Sequence, residues 1–243
     1  MTTTMGQLMT FTRMRCGIEQ DNSIQDSELM MMLNMALGNL DEVLVNEYEE
    51  YNLTSYIVTL PQPATGAPNV APLPSDFHKL RAVDYGWPGS WITLYPFQMP
   101  ERNRFNNPVA NLSFPYGTQV SRKFRLEGNQ LYIMPVSFSS GQYQVWYTPK
   151  YTFITDVNQN IPNYMDTQGW LQYAISNAGI QIYTKLLLDP TQFKDQMNYF
   201  EEVVRNGCVN RMSTGPKCVV NVRNINDACD PWGTGGGWSG IGG

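Results

Sequence analysis

The apolar residues of this chain change their spacing twice, and that change limits the folds available to it. Between residues 26 and 51 they recur at steps of three and four, which is the spacing of one helix face. We predict a long helix here, capped by Ser23 or Asp26, and a shorter helix over residues 5–16. The stripe consists of Leu29, Leu33, Ala36, Leu37, Leu40 and Leu44. Four methionines are predicted to fill the surrounding core, namely Met30, Met31, Met32 and Met35.

The middle of the chain follows the period of a β-strand. Residues 53–61 alternate, which places Tyr56, Val58 and Leu60 on one face. Residues 61–72 are rich in Pro, Gly and Ala and are predicted to form a loop. Four further runs bounded by Gly, Pro or Asn are predicted strands: "HKLRAVDYG", "SWITLYPFQM", "KFRLEGNQLYIMP" and "GQYQVWYTP". Strands at this spacing favour an antiparallel barrel or sandwich.

Helical spacing returns near Asp166 and continues to about residue 212. Within it, "LLLDP" interrupts the pattern, with Asp189 as the cap of a second helix and Pro190 in its first turn. The predicted fold class is therefore α+β. A helical bundle is formed by residues 1–52 and 162–212, an antiparallel β barrel or sandwich is inserted at 53–161, and an extended Gly-rich C-terminal tail covers 213–243.

The segment "SRKFRLEGNQLYIMP", residues 121–135, is predicted to form a β-hairpin. Its apolar residues alternate, and the "EGNQ" between them contains the Gly and Asn that tight turns need. The apolar positions are Phe124, Leu126, Leu131 and Ile133. Because the hairpin holds no nucleophile with a base and no set of metal ligands, we expect its role to depend on shape and position.

The last thirty residues have a different composition, with repeated Gly and no sustained period. Trp232, Trp238 and Ile241 are the bulky groups of this tail. Ordering a residue costs about 1 to 2 kcal/mol, which Gly contacts do not offset. We expect the tail to be mobile in a free subunit and to become ordered on a partner.

The charge composition of the chain limits the kinds of partner that it can bind. Only 15% of the 243 residues are charged, against roughly 25% in an average soluble domain. Such a neutral, amide-rich surface favours a subunit whose faces are covered by neighbours. The net charge of -5 argues against a protein that holds duplex DNA. We find no export signal and no membrane span, and expect the four cysteines to be reduced thiols of a cytoplasm.

No catalytic pattern emerges, and we predict that the protein is not an enzyme and needs no cofactor or metal. His78 lies two residues after Asp76, but no GxSxG elbow accompanies it. The cysteines lack CxxC spacing. The aromatic residues of the strands form either a core with cross-strand pairs or a stacking platform for sugars or bases.

Several segments occur in an order that resembles a known family. They are "QLMTFTRMRCGI", "NSIQDSELMMMLNMALGNLDEVL", "LPSDFHKLRAVDY", "WITLYPFQMPERNRF", "KFRLEGNQLYIMP" and "VWYTPKY". This order is similar to that of the head-to-tail adaptor proteins of tailed bacteriophages, especially short-tailed ones, over roughly residues 5–212. The chain departs from the family in its Met-rich helix, its Pro-rich loop, residues 106–118 and its long tail.

The resemblance implies a structural role in the virion, at the head–tail junction, after assembly in the cytoplasm of a bacterial host. It implies a ring of about twelve copies beneath the portal protein, which extends the DNA channel and carries the tail. Genomic DNA would pass without specific binding, and no membrane is involved. The implied portal-binding residues are Trp232, Trp238 and Ile241. The implied contacts with a tail tube or nozzle protein are Glu127, Gly128, Asn129 and Gln130.

Two alternatives belong to other classes. A carbohydrate-binding β module would require two or more coplanar, solvent-open aromatic side chains among Trp87, Trp91, Trp146 and Tyr147. An esterase would require a serine and a carboxylate within hydrogen-bond reach of the His78 ring.

Overall fold

The computed structural model describes residues 2–20, 23–48, 50–62, 69–97, 122–134, 139–166 and 169–211. All of these belong to one compact unit, Met1–Arg211. The second compact unit, Met212–Gly243, lies outside the described residues, as does the predicted tail. The predicted domain boundaries stay a prediction.

The described part of the chain contains four helices, two at each end. They are α1 (Met5–Cys16), α2 (Asp26–Glu47), α3 (Leu171–Lys185) and α4 (Thr191–Arg211). All four contribute to one buried apolar cluster. The predicted stripe of α2 is confirmed, because each of its six residues is fully buried. The short helix over residues 5–16 is also confirmed, whereas α2 ends at Glu47, before the predicted limit.

Local capping explains why so short a helix as α1 forms. The Thr4 side chain accepts a hydrogen bond from the Gln7 backbone N–H, and the Gln7 side chain accepts one from the Thr4 N–H. This reciprocal pair satisfies two donors that a helix start leaves free. At the other end, Gly17 adopts a left-handed conformation, with φ 67°, and closes the last turn.

Two expectations for α2 need correction. Its N-cap is Gln25, which makes no side-chain cap bond, and Asp26 instead pairs with Arg13 at 2.8 Å. Met30 and Met32 pack against the helical core as predicted, whereas Met31 and Met35 are 62% and 47% exposed. They lie two positions after residues of the leucine stripe, which is more than half a turn around a helix, so they face away from the core.

Eight strands are described: β1 (Thr54–Leu60), β2 (Asn69–Pro72), β3 (Phe77–Trp87), β4 (Ser90–Thr93), β5 (Tyr95–Pro96), β6 (Lys123–Glu127), β7 (Gln130–Met134) and β8 (Gly141–Pro149). They form two four-stranded sheets, ordered β1-β8-β3-β4 and β2-β7-β6-β5. Both sheets contribute to a second buried cluster. The α+β class is confirmed.

Three details of the β prediction need correction. The described strands do not close into a barrel. β2 lies within the segment predicted as a loop, because residues 69–72 pair with β7. The short strand β5 runs parallel to β6, whereas we expected only antiparallel pairs. Pro72 is tolerated because β2 lies at the edge of its sheet, where a missing N–H need not break the ladder.

A buried asparagine fixes the segment that leads from β8 back to the helices. The Asn34 amide nitrogen donates to the carbonyls of Met30 and Ile154, at 3.0 and 2.9 Å. Its oxygen accepts from the Ile154 N–H at 2.8 Å and from the Tyr151 hydroxyl at 3.0 Å. All four hydrogen-bonding positions of the side chain are therefore used.

The connection from β3 to α2 is electrostatic. Arg81 donates to the carbonyls of Val45 and Tyr48, at 2.8 and 3.3 Å, and Lys79 donates to Val45 at 3.3 Å. These carbonyls lie at the C-terminal end of α2, where cations are favoured by the helix dipole. The strand thus supplies the basic groups that α2 lacks in its own last turn.

The turn between α3 and α4 contains an exposed leucine in an unfavourable conformation. Leu187 has φ 57°, and its side chain is 93% exposed. The Leu187 N–H donates to the Thr184 carbonyl and the Leu188 N–H to the Tyr183 carbonyl. This is the Schellman pattern, in which Gly normally occupies the left-handed position. Asp189 then caps α4 through the Thr191 N–H, as predicted.

Replacement of Asn34 tests the buried amide. Asn34→Ala leaves the buried N–H and carbonyl of Ile154 without their partner, so we expect a loss of about 2 to 4 kcal/mol in unfolding free energy. Urea unfolding followed by circular dichroism measures it. The control is Asn158→Ala, in an exposed turn, expected to change stability by less than about 0.5 kcal/mol. Equal effects of the two substitutions would contradict the assignment.

Leu187→Gly should make the protein more stable. Glycine adopts positive φ without steric cost, and this outweighs the extra entropy it gives the unfolded chain, so we expect a gain of about 0.5 to 1 kcal/mol. The same urea titration measures the change. A loss of stability would show that the leucine side chain supports this fold.

Candidate functional site

The predicted tail-contact residues come together at one exposed turn. Glu127 pairs with Gln130 as the last pair of β6 and β7, and Gly128 and Asn129 form the two-residue turn between them. Gly128 has φ 56°, and a positive φ at the first turn position belongs to the primed turns that fit hairpin twist. Gly128, Asn129 and Gln130 are exposed, and Glu127 is half-buried.

The strands behind this turn are held by their alternation, as the sequence predicts. Phe124 pairs with Ile133, and Leu126 pairs with Leu131, so all four lie on one face. Phe124, Leu131 and Ile133 are buried, whereas Leu126, nearer the tip, remains partly exposed. The tip itself is tethered, because the Leu73 N–H donates to the Asn129 carbonyl at 3.2 Å. The hairpin tip is therefore a polar projection that this hydrogen bond holds in place.

An open groove of about 490 Å³ lies on the outer face of the first sheet. Its apolar lining consists of Leu53, Leu80, Ala82 and Trp146, and its polar lining consists of Arg81, Asp84 and Thr93. The Asp84 carboxylate accepts hydrogen bonds from the Trp146 ring N–H at 2.7 Å and from the Thr93 hydroxyl at 2.8 Å. These bonds fix the indole as one wall.

A β-bulge gives the groove its shape. The pairing of β3 with β8 shifts register between Leu80 and Ala82, so Arg81 leaves the regular alternation. Its guanidinium reaches the Thr148 hydroxyl at 3.0 Å as well as the α2 carbonyls. Arg81 is therefore committed to structure. The remaining lining can receive an apolar side chain or a small ligand, with Asp84 as a fixed acceptor.

The carbohydrate alternative requires at least two solvent-open aromatic side chains among four, and one of the four is open to solvent. Trp87 is 63% exposed, Trp91 and Trp146 are half-buried, and Tyr147 is buried. The register also separates two of them. Trp91 of β4 lies opposite Gly86 of β3, and Trp87, which follows Gly86, therefore lies on the other face of the sheet. These side chains do not form one open platform.

His78 contacts a carboxylate, but a different one from that suggested by the sequence. Its Nε2 lies 3.1 Å from Glu42 on α2, whereas Asp76 accepts from the Tyr147 hydroxyl. In the described ranges, no serine hydrogen-bonds to the His78 ring. The esterase alternative therefore has a carboxylate beside the ring and lacks its nucleophile there.

A buried acid lies next to this pair. Asp41 accepts a hydrogen bond from the Tyr51 hydroxyl at 3.1 Å. Burial raises the pKa of Asp41 to about 6, and the Tyr51 hydrogen bond and the nearby His78 oppose that rise. Burial likewise raises the pKa of Tyr51, as does the adjacent Asp41. A carboxyl with a raised pKa is expected to make the free energy of unfolding depend on pH.

Some of the predicted site residues and cysteines lie in parts of the chain that the structure does not describe. Trp232, Trp238 and Ile241 lie outside the described residues, as do Cys218 and Cys229. Cys16 and Cys208 are buried, and burial raises the pKa of the Cys16 thiol to about 11. The described residues hold no cluster of His, Cys, Asp and Glu suited to a metal ion. None of the helices described here is long and apolar enough to cross a membrane.

Comparison with known proteins adds no assignment. No protein-family model matches the chain, and no curated protein matches its sequence.

Sequence reasoning missed the groove and the exposed leucine. The groove joins residues 62 positions apart, such as Trp146 and Asp84, and no local pattern announces such a pair. For Leu187 a signal existed: "LLLDP" follows the last helical turn without the Gly that usually ends a helix.

The buried acid predicts a pH dependence. Because the folded pKa of Asp41 lies above the unfolded value of about 3.9, the folded state binds the proton more tightly. This contribution stabilises the protein fully below about pH 4 and is lost as the pH rises through about 6. We expect Asp41→Asn to flatten the stability profile in that window, measured by urea unfolding from pH 4 to 7.

Tyr51→Phe provides the second arm of this test. It removes a hydrogen bond that lowers the pKa of Asp41, so the transition should move to higher pH. Identical profiles for the wild type and Asp41→Asn would contradict the assignment.

Proposed function

We propose that the chain is a head-to-tail adaptor of a tailed bacteriophage, a virion protein that forms a ring beneath the portal protein. In this proposal a helical bundle carries an inserted β module, and an extended C-terminal tail docks on the portal. The ring of about twelve copies extends the DNA channel and presents a platform to the tail tube or nozzle.

The observation that carries the proposal is the hairpin of β6 and β7. One face of its strands is buried through Phe124, Leu131 and Ile133, its turn is tethered at Asn129, and its exposed tip offers position without reactive groups. Such a tip suits contact with a further protein. Glu127, Gly128, Asn129 and Gln130 are the proposed tail-contact residues.

Another segment of the resemblance, "LPSDFHKL", also has a defined structural role. Residues 73–80 lead into β3, where His78 contacts Glu42 and Lys79 binds the end of α2. The segment thus joins the sheets to the helices. Of the segments that carry the resemblance, this one attaches the strands to α2, and the hairpin segment projects from them.

The charge balance supports a channel subunit. A net charge of -5 disfavours tight association with phosphates, and DNA must slide through a connector without being held. Trp232, Trp238 and Ile241 are the proposed portal anchors, because large aromatic groups entering pockets contribute most to binding.

Portal binding tests the proposal. A chain cut after Met212 should keep its circular dichroism spectrum and melting temperature and lose cosedimentation with purified portal rings of the same phage.

The milder double variant Trp232→Ala, Trp238→Ala should weaken binding at least about tenfold, or 1.4 kcal/mol. Trp87→Ala is the matched control, since Trp87 is an exposed tryptophan of the β module.

The outcomes separate two levels of the proposal. Absence of binding by the full chain would overturn the adaptor function. Tight binding by the truncated chain would leave that function standing and overturn the anchor residues.

A further inference from the structure

The contacts that join α2 to the first sheet differ in their response to pH. Lys79 and Arg81 of β3 donate to carbonyls in the last turns of α2, and Lys and Arg side chains keep their charge at neutral pH. His78, the only histidine of the chain, lies in the same strand, and its Nε2 is 3.1 Å from the Glu42 carboxylate. Histidine is the side chain that ordinarily changes its charge between about pH 5 and 8.

A buried carboxyl lies beside this ion pair. Asp41 precedes Glu42 in α2, is 4% exposed and accepts a hydrogen bond from the Tyr51 hydroxyl. The Glu42 side chain, in contrast, is 60% exposed and faces β3. Two successive carboxyls of α2 thus lie in a dry and a wet environment, and the dry one is costly to ionise. We call residues 41–47 of α2 and residues 78–81 of β3 the junction.

The titratable groups around Asp41 come from α2 itself, from β3, from the turn after α2 and from the segment after β8. They are Glu42, His78, Tyr51, Tyr151 and Tyr164. The three tyrosines stay neutral, because burial raises the pKa of Tyr164 to about 12 and also raises the pKa of Tyr51 and Tyr151. The carboxyls and the histidine are therefore the groups that respond to pH here.

The helices packed against α2 place their charged groups elsewhere. Arg205 of α4 pairs with Glu47, beyond Asp41, and Cys208 of α4 lies near Tyr51. The described ion pairs of α2 with α1 and α3 lie at its other end, at Asp26 and Glu28.

We propose that the junction is a proton-dependent contact, in which His78, Glu42 and Asp41 hold β3 against α2 more tightly at about pH 5 than at about pH 7.5. Lys79 and Arg81 supply the part of the contact that does not depend on pH. The inference does not rest on the proposed adaptor function.

The histidine and the buried acid act in the same direction. At about pH 5 a positive His78 balances a negative Glu42, and at about pH 7.5 that ion pair is lost with the charge of the histidine. The pKa of Asp41, about 6, lies above the unfolded value of about 3.9. Its contribution is therefore complete below about pH 4 and is lost as the pH rises through about 6. Above that pH two adjacent carboxylates are negative.

The charges of the junction also influence one another. The nearby His78 lowers the pKa of Asp41, and the negative Glu42 raises it. Removal of either charge must therefore move the pH at which Asp41 ionises, and the two removals must move it in opposite directions. A purely structural role of these side chains would not produce opposite shifts.

Hydrogen exchange followed by mass spectrometry measures the contact in the full chain. The amide protection of residues 76–83, at the start of β3, is followed from about pH 5 to about 7.5 after correction for intrinsic exchange. Because opening exposes Asp41 to water, its two pKa values imply protection about tenfold lower at the higher pH. Residues 171–185 of α3 are the internal reference and should show no such difference.

Three substitutions separate the contributions. Asp41→Asn should abolish most of the difference, because an amide does not ionise. His78→Gln should raise the pH at which the loss of protection is complete, and Glu42→Gln should lower it. The matched control is Asp26→Asn, since Asp26 is an exposed acid that pairs with Arg13 at the other end of α2, and it should leave that pH unchanged.

The outcomes decide the inference. Equal protection of β3 at both pH values, or equal losses in β3 and α3, would overturn it, as would a full difference in Asp41→Asn. If circular dichroism shows that Asp41→Asn does not fold, the other two variants decide. Opposite shifts in His78→Gln and Glu42→Gln support the inference, and profiles identical to the wild type overturn it.

Discussion

The structure depends on a single helix that fills the helical core and also binds the chain of the β-sheets. One face of α2 carries the buried leucine stripe, and other groups of α2 bind β3 and the segment that follows β8. Asn34 holds the segment that follows β8, and the carbonyls at the helix end hold the basic residues of β3. A buried amide with all its bonds made is costly to disturb, because losing one partner leaves the others unsatisfied in a low dielectric. The first sheet, through β3, and the segment after β8 are therefore both fixed to α2.

This arrangement gives the exposed features a rigid base. The hairpin tip at Asn129 and the groove beside Asp84 belong to different sheets, and both sheets contribute to one buried cluster. Only 15% of the residues are charged. A surface poor in charge loses less solvation when a neighbouring subunit covers it than a highly charged surface does. The proposed adaptor ring uses that property.

The turn between α3 and α4 does not carry the residue that would stabilise it most. A glycine at Leu187 would satisfy the helix cap with less strain, yet it would remove the apolar group that the turn projects. Buried acids give a similar conflict, since Asp41 is costly to ionise where it lies. Proteins retain such features where another role compensates for their cost.

The sequence by itself determined the elements with strong periodicity. The leucine stripe of α2, the alternation of Tyr56, Val58 and Leu60, and the Gly-Asn turn at residue 128 were all readable, because each depends on neighbours a few positions away. The capping of α4 by Asp189 was readable for the same reason. The α+β class followed from the order of these periods.

Only the tertiary structure decided which surfaces face one another and which stay open. Met31 and Met35 looked like core residues because their type is apolar, but the geometry of α2 turns them to the outside. β2 formed within a Pro-rich segment because β7 offered it a partner, and the groove arose from residues of β3, β4 and β8 that are distant in sequence. Local patterns report the preferences of single segments. Pairing and burial depend on the free energy of many segments together, and no short stretch of sequence contains that information.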